Sequence, residues 1–251
     1  MRTIMTKTFT TNSSNANPAY ATRNEREALY VKLPQAPVTA SPVPELTSLY
    51  YHDSKEKYGD RRYPGNCGGE LIRDLITFFA SRNVLDPMAG SGTCGEVCRD
   101  IGVPCVSLDI RHGFDATNPD SFANHLAGQM FDLIWAHPPY WKQKLYTSNE
   151  RDLSRATTLA DFLELYTSFI RNCADVLMPK GKLIILMGDH FDRQAGFIPL
   201  THYTRQIAFA SGLRQHCTDI IRFRHGAASR KTIYPTSFIP ALHDTCMVFE
   251  R

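Results

Sequence analysis

The chain has 251 residues, of which 43% are hydrophobic and 21% charged, and its 28 Lys and Arg against 25 Asp and Glu leave a net charge of +3. That is the composition of an ordinary globular protein of one large domain or two small ones, with an overall charge too slight to name a partner. The seven cysteines are odd in number and lack CxxC spacing, which points to reduced thiols in a cytosol-like compartment and away from a disulfide framework or a zinc site. No apolar run approaches the ~20 residues of a membrane span, and no apolar h-region follows the N-terminus, so neither a spanning segment nor a secretory signal is expected.

In chain order, residues 1–45 read as a poorly packed arm. "TTNSSNANPAYA" is polar, and "LPQAPVTASPVP" carries four prolines in twelve residues, so the segment favours extended backbone and buries little. A single folded domain is expected over 46–251. Glu70 to Ala80 predicts a helix with Leu71, Ile72, Leu75, Ile76 and Phe79 on one face. "NVLDPM" predicts a short buried strand, Thr93 to Ile101 a helix opened by a glycine-rich turn, "PCVSLDI" a second strand and "FDLIWA" a third. Thr158 to Leu177 predicts a long helix that stops before Pro179, "GKLIILMGD" a fourth strand and Leu200 to Ala210 a helix. "LRQHCTDIIRFR" and "HDTCMVFER" predict two closing strands, antiparallel neighbours. Strands alternating with helices imply an open α/β sheet with crossover helices on both faces.

Two loops carry chemistry. "LDPMAGSGT", Leu85 to Thr93, lies where a strand gives way to a helix. Gly90 and Gly92 there permit a tight turn and close approach of a ligand to the backbone, and ligands of open α/β sheets bind beyond the carboxyl ends of strands. The loop is neither GxGxxG nor a phosphate-cradling loop with its lysine. Asp109 ends the next strand, placed to accept hydrogen bonds from both hydroxyls of a ribose. The second loop is "HPPYW" after "FDLIWA". Two prolines stiffen it and remove two donors while keeping both carbonyl acceptors. His137 and the Pro138 carbonyl, beside Pro139, could then take the two protons of a planar NH2 group whose ring stacks on Tyr140. Cys94 and Cys98 share a helix face, where small buried hydrophobes are the expected reading.

"LDPMAGSGT", "SLDI" and "HPPYW", in that order, resemble the S-adenosylmethionine-dependent amino-methyltransferases that modify DNA at adenine N6 or cytosine N4, a family with a D-P-F-x-G-S-G-T loop and an Asp/Asn/Ser-Pro-Pro-aromatic loop. "RYPGNCGGELIRDLI" resembles that family's additional cofactor motif, and the likeness runs over about Tyr58 to Phe223. The resemblance implies a Rossmann-like α/β fold, seven strands mostly parallel with one antiparallel strand at the C-terminal edge. It places S-adenosyl-L-methionine against Tyr63, Pro64, Asp86, Pro87, Ala89, Gly90, Gly92 and Thr93, with Asp109 on the ribose and Asp115 on the adenine side. It implies duplex DNA with the target base flipped out as the partner, and an enzyme of class EC 2.1.1. His137 departs from the family pattern, in which Ser favours cytosine and Asp favours adenine, so the target base stays open. The rival readings are an RNA or protein-amide methyltransferase and a catalytically silent nucleic-acid-binding homologue.

Only about 45 residues separate the two loops, too few for a recognition domain. Two basic segments flank the presumed base pocket: 142–155 with Lys142, Lys144, Arg151 and Arg155 after Trp141, and 222–241 with Arg222, Arg224, Arg230 and Lys231. They are expected to neutralise phosphates, which gives salt-dependent affinity that is largely blind to sequence. Asp189 and His190, at another strand end, either border the pocket or form a structural pair. No histidine spacing suggests a metal.

Overall fold

In a computed structural model, residues 40–51, 57–60, 62–223 and 239–251 are described. The chain divides into Met1–Ala40 and Ser41–Arg251, and every element below belongs to the second unit. The arm expected over residues 1–45 falls outside the described residues except for its last six; of these, Val43 is already buried.

Strand β1 is Leu49–Tyr50. Helix α1, Glu70–Phe79, buries Leu71, Ile72, Leu75 and Ile76 of the expected stripe, leaves its fifth member Phe79 half-buried, and ends at Ala80 in the left-handed region. Strand β2, Val84–Asp86, leads to helix α2, Thr93–Ile101, and strand β3, Cys105–Ser107. Helix α3, Pro119–Leu126, was not foreseen, although its signals are present: the Asn118 side chain accepts from the Asp120 amide, and proline occupies the first turn, where its missing N–H costs nothing. Strand β4 is Phe131–Ala136.

Helix α4, Leu159–Asp175, stops two residues short of the expected Leu177, and strand β5, Leu177–Met187, starts four residues earlier than expected. Phe131 pairs with Leu177 but Leu133 with Lys182, so residues 178–181 form a bulge. Pro179 is accommodated there, since a bulge leaves its residues unpaired. The start of α4 is a reciprocal capping box: Thr158 Oγ1 accepts from the Asp161 amide and Asp161 Oδ2 from the Thr158 amide, both at 3.1 Å. Thr158→Ala is expected to cost about 0.5–2 kcal/mol, the usual range for a lost N-cap, measured by urea unfolding; no shift in midpoint would remove the cap from the account.

Strands β6, His190–Asp192, and β7, Gly196–Ile198, form a separate hairpin. Helix α5, Leu200–Ala210, matches its expected bounds. Strands β8, Arg214–Gln215, β9, Ile220–Phe223, and β10, His243–Glu250, close the main sheet.

That sheet has eight strands in the order β1-β9-β10-β5-β4-β2-β3, with β8 also on β10. Strands β2 to β5 are mutually parallel, and β10 runs antiparallel to β5, β8 and β9. A single reversed strand was expected, but at the edge of seven. It lies inside the sheet, between β9 and β5, and β1 adds an eighth strand beyond β9. The sequence of β10 accounts for this: from Asp244 to Glu250 every residue is buried, as suits a strand paired on both sides.

The strands alternate between two apolar layers, as their period of two requires. Leu85, Ile134, Ala136, Leu183, Ile185, Met187, Met247 and Phe249 pack with α3, α4 and α5. Val84, Leu133, Trp135, Ile184, Leu186, Cys246 and Val248 pack with α1 and α2. Helices therefore cover both faces, and the loops at the carboxyl ends of β2, β3 and β4 are left to build a site.

Candidate active site

The loop after β2 is fastened to the loop after β3. The Ala89 amide donates to Leu108 O at 2.9 Å and the Leu108 amide to Asp86 O at 2.8 Å. Gly90 sits at φ 51 and Gly92 at φ 83, a region that strains any other residue. A Cβ on Gly90 would lie 2.9 Å from the Tyr63 ring, whereas one on Gly92 would meet nothing within 4 Å. Thus Gly90 is required by a neighbour and Gly92 by backbone turn alone. Thr93 Oγ1 donates to Asn66 Oδ1 at 2.8 Å, which ties the start of α2 to the segment bearing Tyr63 and Pro64.

Asp109 is buried at the end of the next segment. Its Oδ2 accepts from the Gly90 amide at 2.8 Å, and its Oδ1 from the Arg111 amide at 3.0 Å and Arg111 Nε at 2.8 Å. Burial works to raise its pKa, but the bonds from Arg111 and Gly90 outweigh that and hold the carboxyl below its ordinary value. A carboxylate has about four acceptor positions. Three are taken within the protein, so a ribose would find one position on Oδ2 unless Arg111 swings away. Arg111 itself lies over the Tyr63 ring, 5.0 Å from its centroid, and donates to Gly90 O.

Beyond β4, His137 Nε2 lies 3.0 Å from Tyr140 Oη. The Tyr140 ring lies against β5, where a Cβ on Gly188 would come within 2.7 Å of it. Tyr140 thus orients His137 and packs on Gly188, and it is not among the residues lining the cleft described next. Its hydroxyl pKa is pushed well up by burial, with the Asp244 carboxylate adding to the effect.

One cleft of about 840 Å³, open mouth included, joins these parts. Tyr63, Pro64, Asp86, Pro87, Ala89, Gly90, Thr93, Asp109 and Asp115 line it together with His137 and Pro139. Of the residues expected at the site, Gly92, Pro138, Tyr140 and Trp141 are not in that lining.

Segment 142–155, expected to reach outward to phosphates, also folds over the cleft. Tyr146, Thr147, Arg151, Asp152 and Leu153 line it. The Tyr146 ring lies 5.8 Å from that of Tyr63. Arg151 Nε donates to Asp115 Oδ2 at 3.0 Å, while Asp115 Oδ1 accepts from the Thr117 amide and hydroxyl. Buried Asp152 accepts from Thr147 N and Oγ1 and from Ser154 N. Nothing in the spacing signals this fold-back. Only the buried carboxylate Asp152, which organises the turn around itself, leaves a trace, as Asp-x-Ser and Thr-x-x-x-x-Asp.

Two of the expected nucleic-acid contacts are corrected. Trp141 is 3% exposed and its Nε1 donates to Ala156 O at 3.0 Å, so it belongs to the core. Arg222 is 6% exposed; Nε and Nη2 bond Asp244 Oδ1 and Oδ2 at 2.9 and 2.6 Å, and Nη1 donates to Cys67 O at 2.9 Å. The guanidinium is thus buried and paired inside the protein. Arg222 and Asp244 sit directly opposite in the β9–β10 register. Lys142 and Lys144 are exposed, whereas Arg224, Arg230 and Lys231 lie outside the described residues. Asp189 is structural, accepting from Thr201 N and Oγ1 at the start of α5. His190 borders a separate, wider depression with Lys142 and Gln143; its Nδ1 is buried without a partner among the described residues, and burial depresses its pKa.

The parallel β2–β5 sheet, with β10 reversed inside it and a cleft at the strand ends, defines a Rossmann-like α/β fold. No family model matches the chain and no curated protein matches its sequence. Among solved structures, similar ones include a candidate DNA modification methylase of Thermus thermophilus, at 20% identity over 55% of this chain and 51% of that one, TM-score 0.39. TrmN of Thermus thermophilus aligns at 16% identity over 72% and 48%, TM-score 0.37. A SAM-dependent methyltransferase of Archaeoglobus fulgidus aligns at 13% over 72% and 94%, TM-score 0.42. The alignment thus takes in about half the length of the first two. No helix among the described residues is long and apolar enough to cross a membrane.

Proposed function

We propose that the chain is an S-adenosylmethionine-dependent methyltransferase acting on the exocyclic amino group of a base in DNA, adenine N6 or cytosine N4. The observation that carries this reading is that His137 and Pro139, after β4, line the same cleft as Asp86, Gly90 and Asp109, after β2 and β3. The residues suit the cofactor chemically: a cleft at the strand ends lined by Gly90, and buried carboxyls at Asp86 and Asp109 for a cation and a ribose. Bound there, S-adenosylmethionine supplies a methyl group already activated on a sulfonium.

The remaining difficulty is the acceptor, because an exocyclic amine delocalises its lone pair into the ring. Acceptors aimed at its N–H protons localise that pair, and positioning alone can contribute ~7–11 kcal/mol. His137 is one acceptor. Its Nε2 lies 3.0 Å from Tyr140 Oη, and a neutral imidazole accepts at whichever ring nitrogen carries no hydrogen. The Pro138 carbonyl is the second acceptor in this reading. The base is flipped from the duplex at a cost of a few kcal/mol, and the exposed Lys142 and Lys144 supply charge for phosphates.

Asp86 makes a pH prediction. Burial, with the Cys105 sulfur nearby, pushes its carboxyl well above the ordinary value, and a cationic ligand in the cleft pulls it back down. The sign follows: binding releases a proton between the bound and free pKa values, and cofactor affinity rises with pH across that interval. Calorimetry in two buffers of different ionisation enthalpy measures the release, which Asp86→Asn should abolish; equal heats in both buffers would refute it.

The reaction is tested by expressing the chain, and a His137→Ala, Tyr140→Ala variant, in a host without methylases and analysing DNA nucleosides by mass spectrometry. N6-methyladenine or N4-methylcytosine present only with the unaltered chain is the expected result and names the base. A folded, cofactor-binding protein that leaves DNA unmodified refutes the DNA reading and turns the search to RNA and protein amides.

A further inference from the structure

Cys94 and Cys98, one turn apart on α2, are joined by Cys105 at the start of β3, and their three sulfur atoms all lie within 4.8 Å of one another. The third thiol arrives because α2 packs hard against β3. Gly95 is the contact point: a Cβ there would lie 2.8 Å from Ser107 Oγ, so a larger residue would require the Ser107 side chain to turn away. Cys94 and Cys98 are fully buried. Cys105 is half-buried on a strand at the edge of the sheet, which gives a way in from solvent.

We propose that Cys94, Cys98 and Cys105 form a binding site for a three-coordinate trivalent thiophile of the arsenite class. Three features select this chemistry. The first is coordination number: zinc-class ions take four ligands with sulfur at about 2.3 Å, and the cluster has no fourth His, Cys, Asp or Glu among the described residues. The second is charge. A divalent ion with three thiolates is a net anion, which burial penalises. A trivalent ion with three thiolates is neutral. The third is proton balance. In the reaction of arsenous acid with three thiols, three As–S bonds form, three As–O bonds break, and each thiol proton leaves with a hydroxyl as water. No oxidant is needed and no proton is forced into solvent.

The site is independent of methyl transfer, though not remote from it. Cys94 also lines the cleft, and an ion shared by α2 and β3 would tie together the elements whose ends carry Thr93 and Asp109.

The test is a titration of the full-length chain, reduced with a phosphine, with sodium arsenite. Calorimetry is expected to give one arsenic per chain, and X-ray absorption at the arsenic edge a shell of three sulfurs with no oxygen. Cys98→Ala and Cys105→Ala should each weaken binding by at least the ~10–100-fold that loss of a mere outer-shell partner costs a metal site. Cys217→Ala, at an exposed thiol, should leave binding unchanged. Absence of binding, a shell with two sulfurs or with retained oxygen, or undiminished binding by folded Cys105→Ala would overturn the proposal. The shell measured on the unaltered chain decides the matter even if a variant fails to fold.

Discussion

Replacing His137 by alanine is expected to slow single-turnover methyl transfer by about 10²–10³-fold, the scale of loss when one aimed hydrogen-bonding group leaves an active site, with cofactor affinity little changed. The imidazole touches the acceptor in this reading, and the cofactor's anchors lie on other loops. The same residue makes activity depend on protonation. An imidazolium has no lone pair to offer the amine, so the rate should fall as pH is lowered across the interval of about pH 5 to 8 in which histidine gains its charge. Tyr140→Phe separates two tautomers. If the Tyr140 hydroxyl accepts from His137 Nε2, its loss frees the ring to tautomerise and the rate drops. If the hydroxyl donates, its loss releases an acceptor and the rate holds or rises. A His137→Ala enzyme within about twofold of the unaltered one, or a flat pH profile, would remove the histidine from the reaction.

Arg222→Ala is expected to destabilise the fold by about 3–5 kcal/mol, the cost of breaking a buried ion pair from one side. Alanine would strand the Asp244 carboxylate where water does not reach, at 4% exposure, and leave Cys67 O without the guanidinium that holds it. The double change Arg222→Met, Asp244→Leu should recover most of the loss, because an apolar pair carries no desolvation penalty. Chemical denaturation measures both. A loss below about 1 kcal/mol for the single variant would mean the pair is solvated. The experiment also separates the structural role from the phosphate-binding role first expected of this arginine. A phosphate ligand, once removed, would reduce the salt dependence of DNA binding by about one unit of slope and leave stability nearly unchanged.

The two loops, their order and the strands that present them were legible because each is local. Gly-x-Gly at a strand end and Pro-Pro after an apolar run mean the same thing in any context, since glycine and proline act on their own backbone. The helices at Glu70, Thr93 and Leu200 were legible for a related reason: apolar periodicity is a property of the segment itself. The misjudged residues depend on partners far along the chain. Arg222 reads as a surface cation until Asp244 is set opposite it. Trp141 reads as an exposed ring until its indole reaches Ala156, and Arg151 reads as a surface cation until it closes on Asp115.

By itself, then, the sequence determined an α/β sheet and the two loops at the carboxyl ends of its strands that carry Asp86 and His137. Tertiary structure alone decided that β10 lies inside the sheet rather than at its edge, that Tyr140 orients His137 rather than lining the cleft, that the basic loop covers the cleft, and that a third cysteine joins two others. The physical reason is range. Backbone restriction and periodicity act over a few residues, whereas burial and charge pairing are settled by which distant segments the sheet brings within a few ångströms of one another.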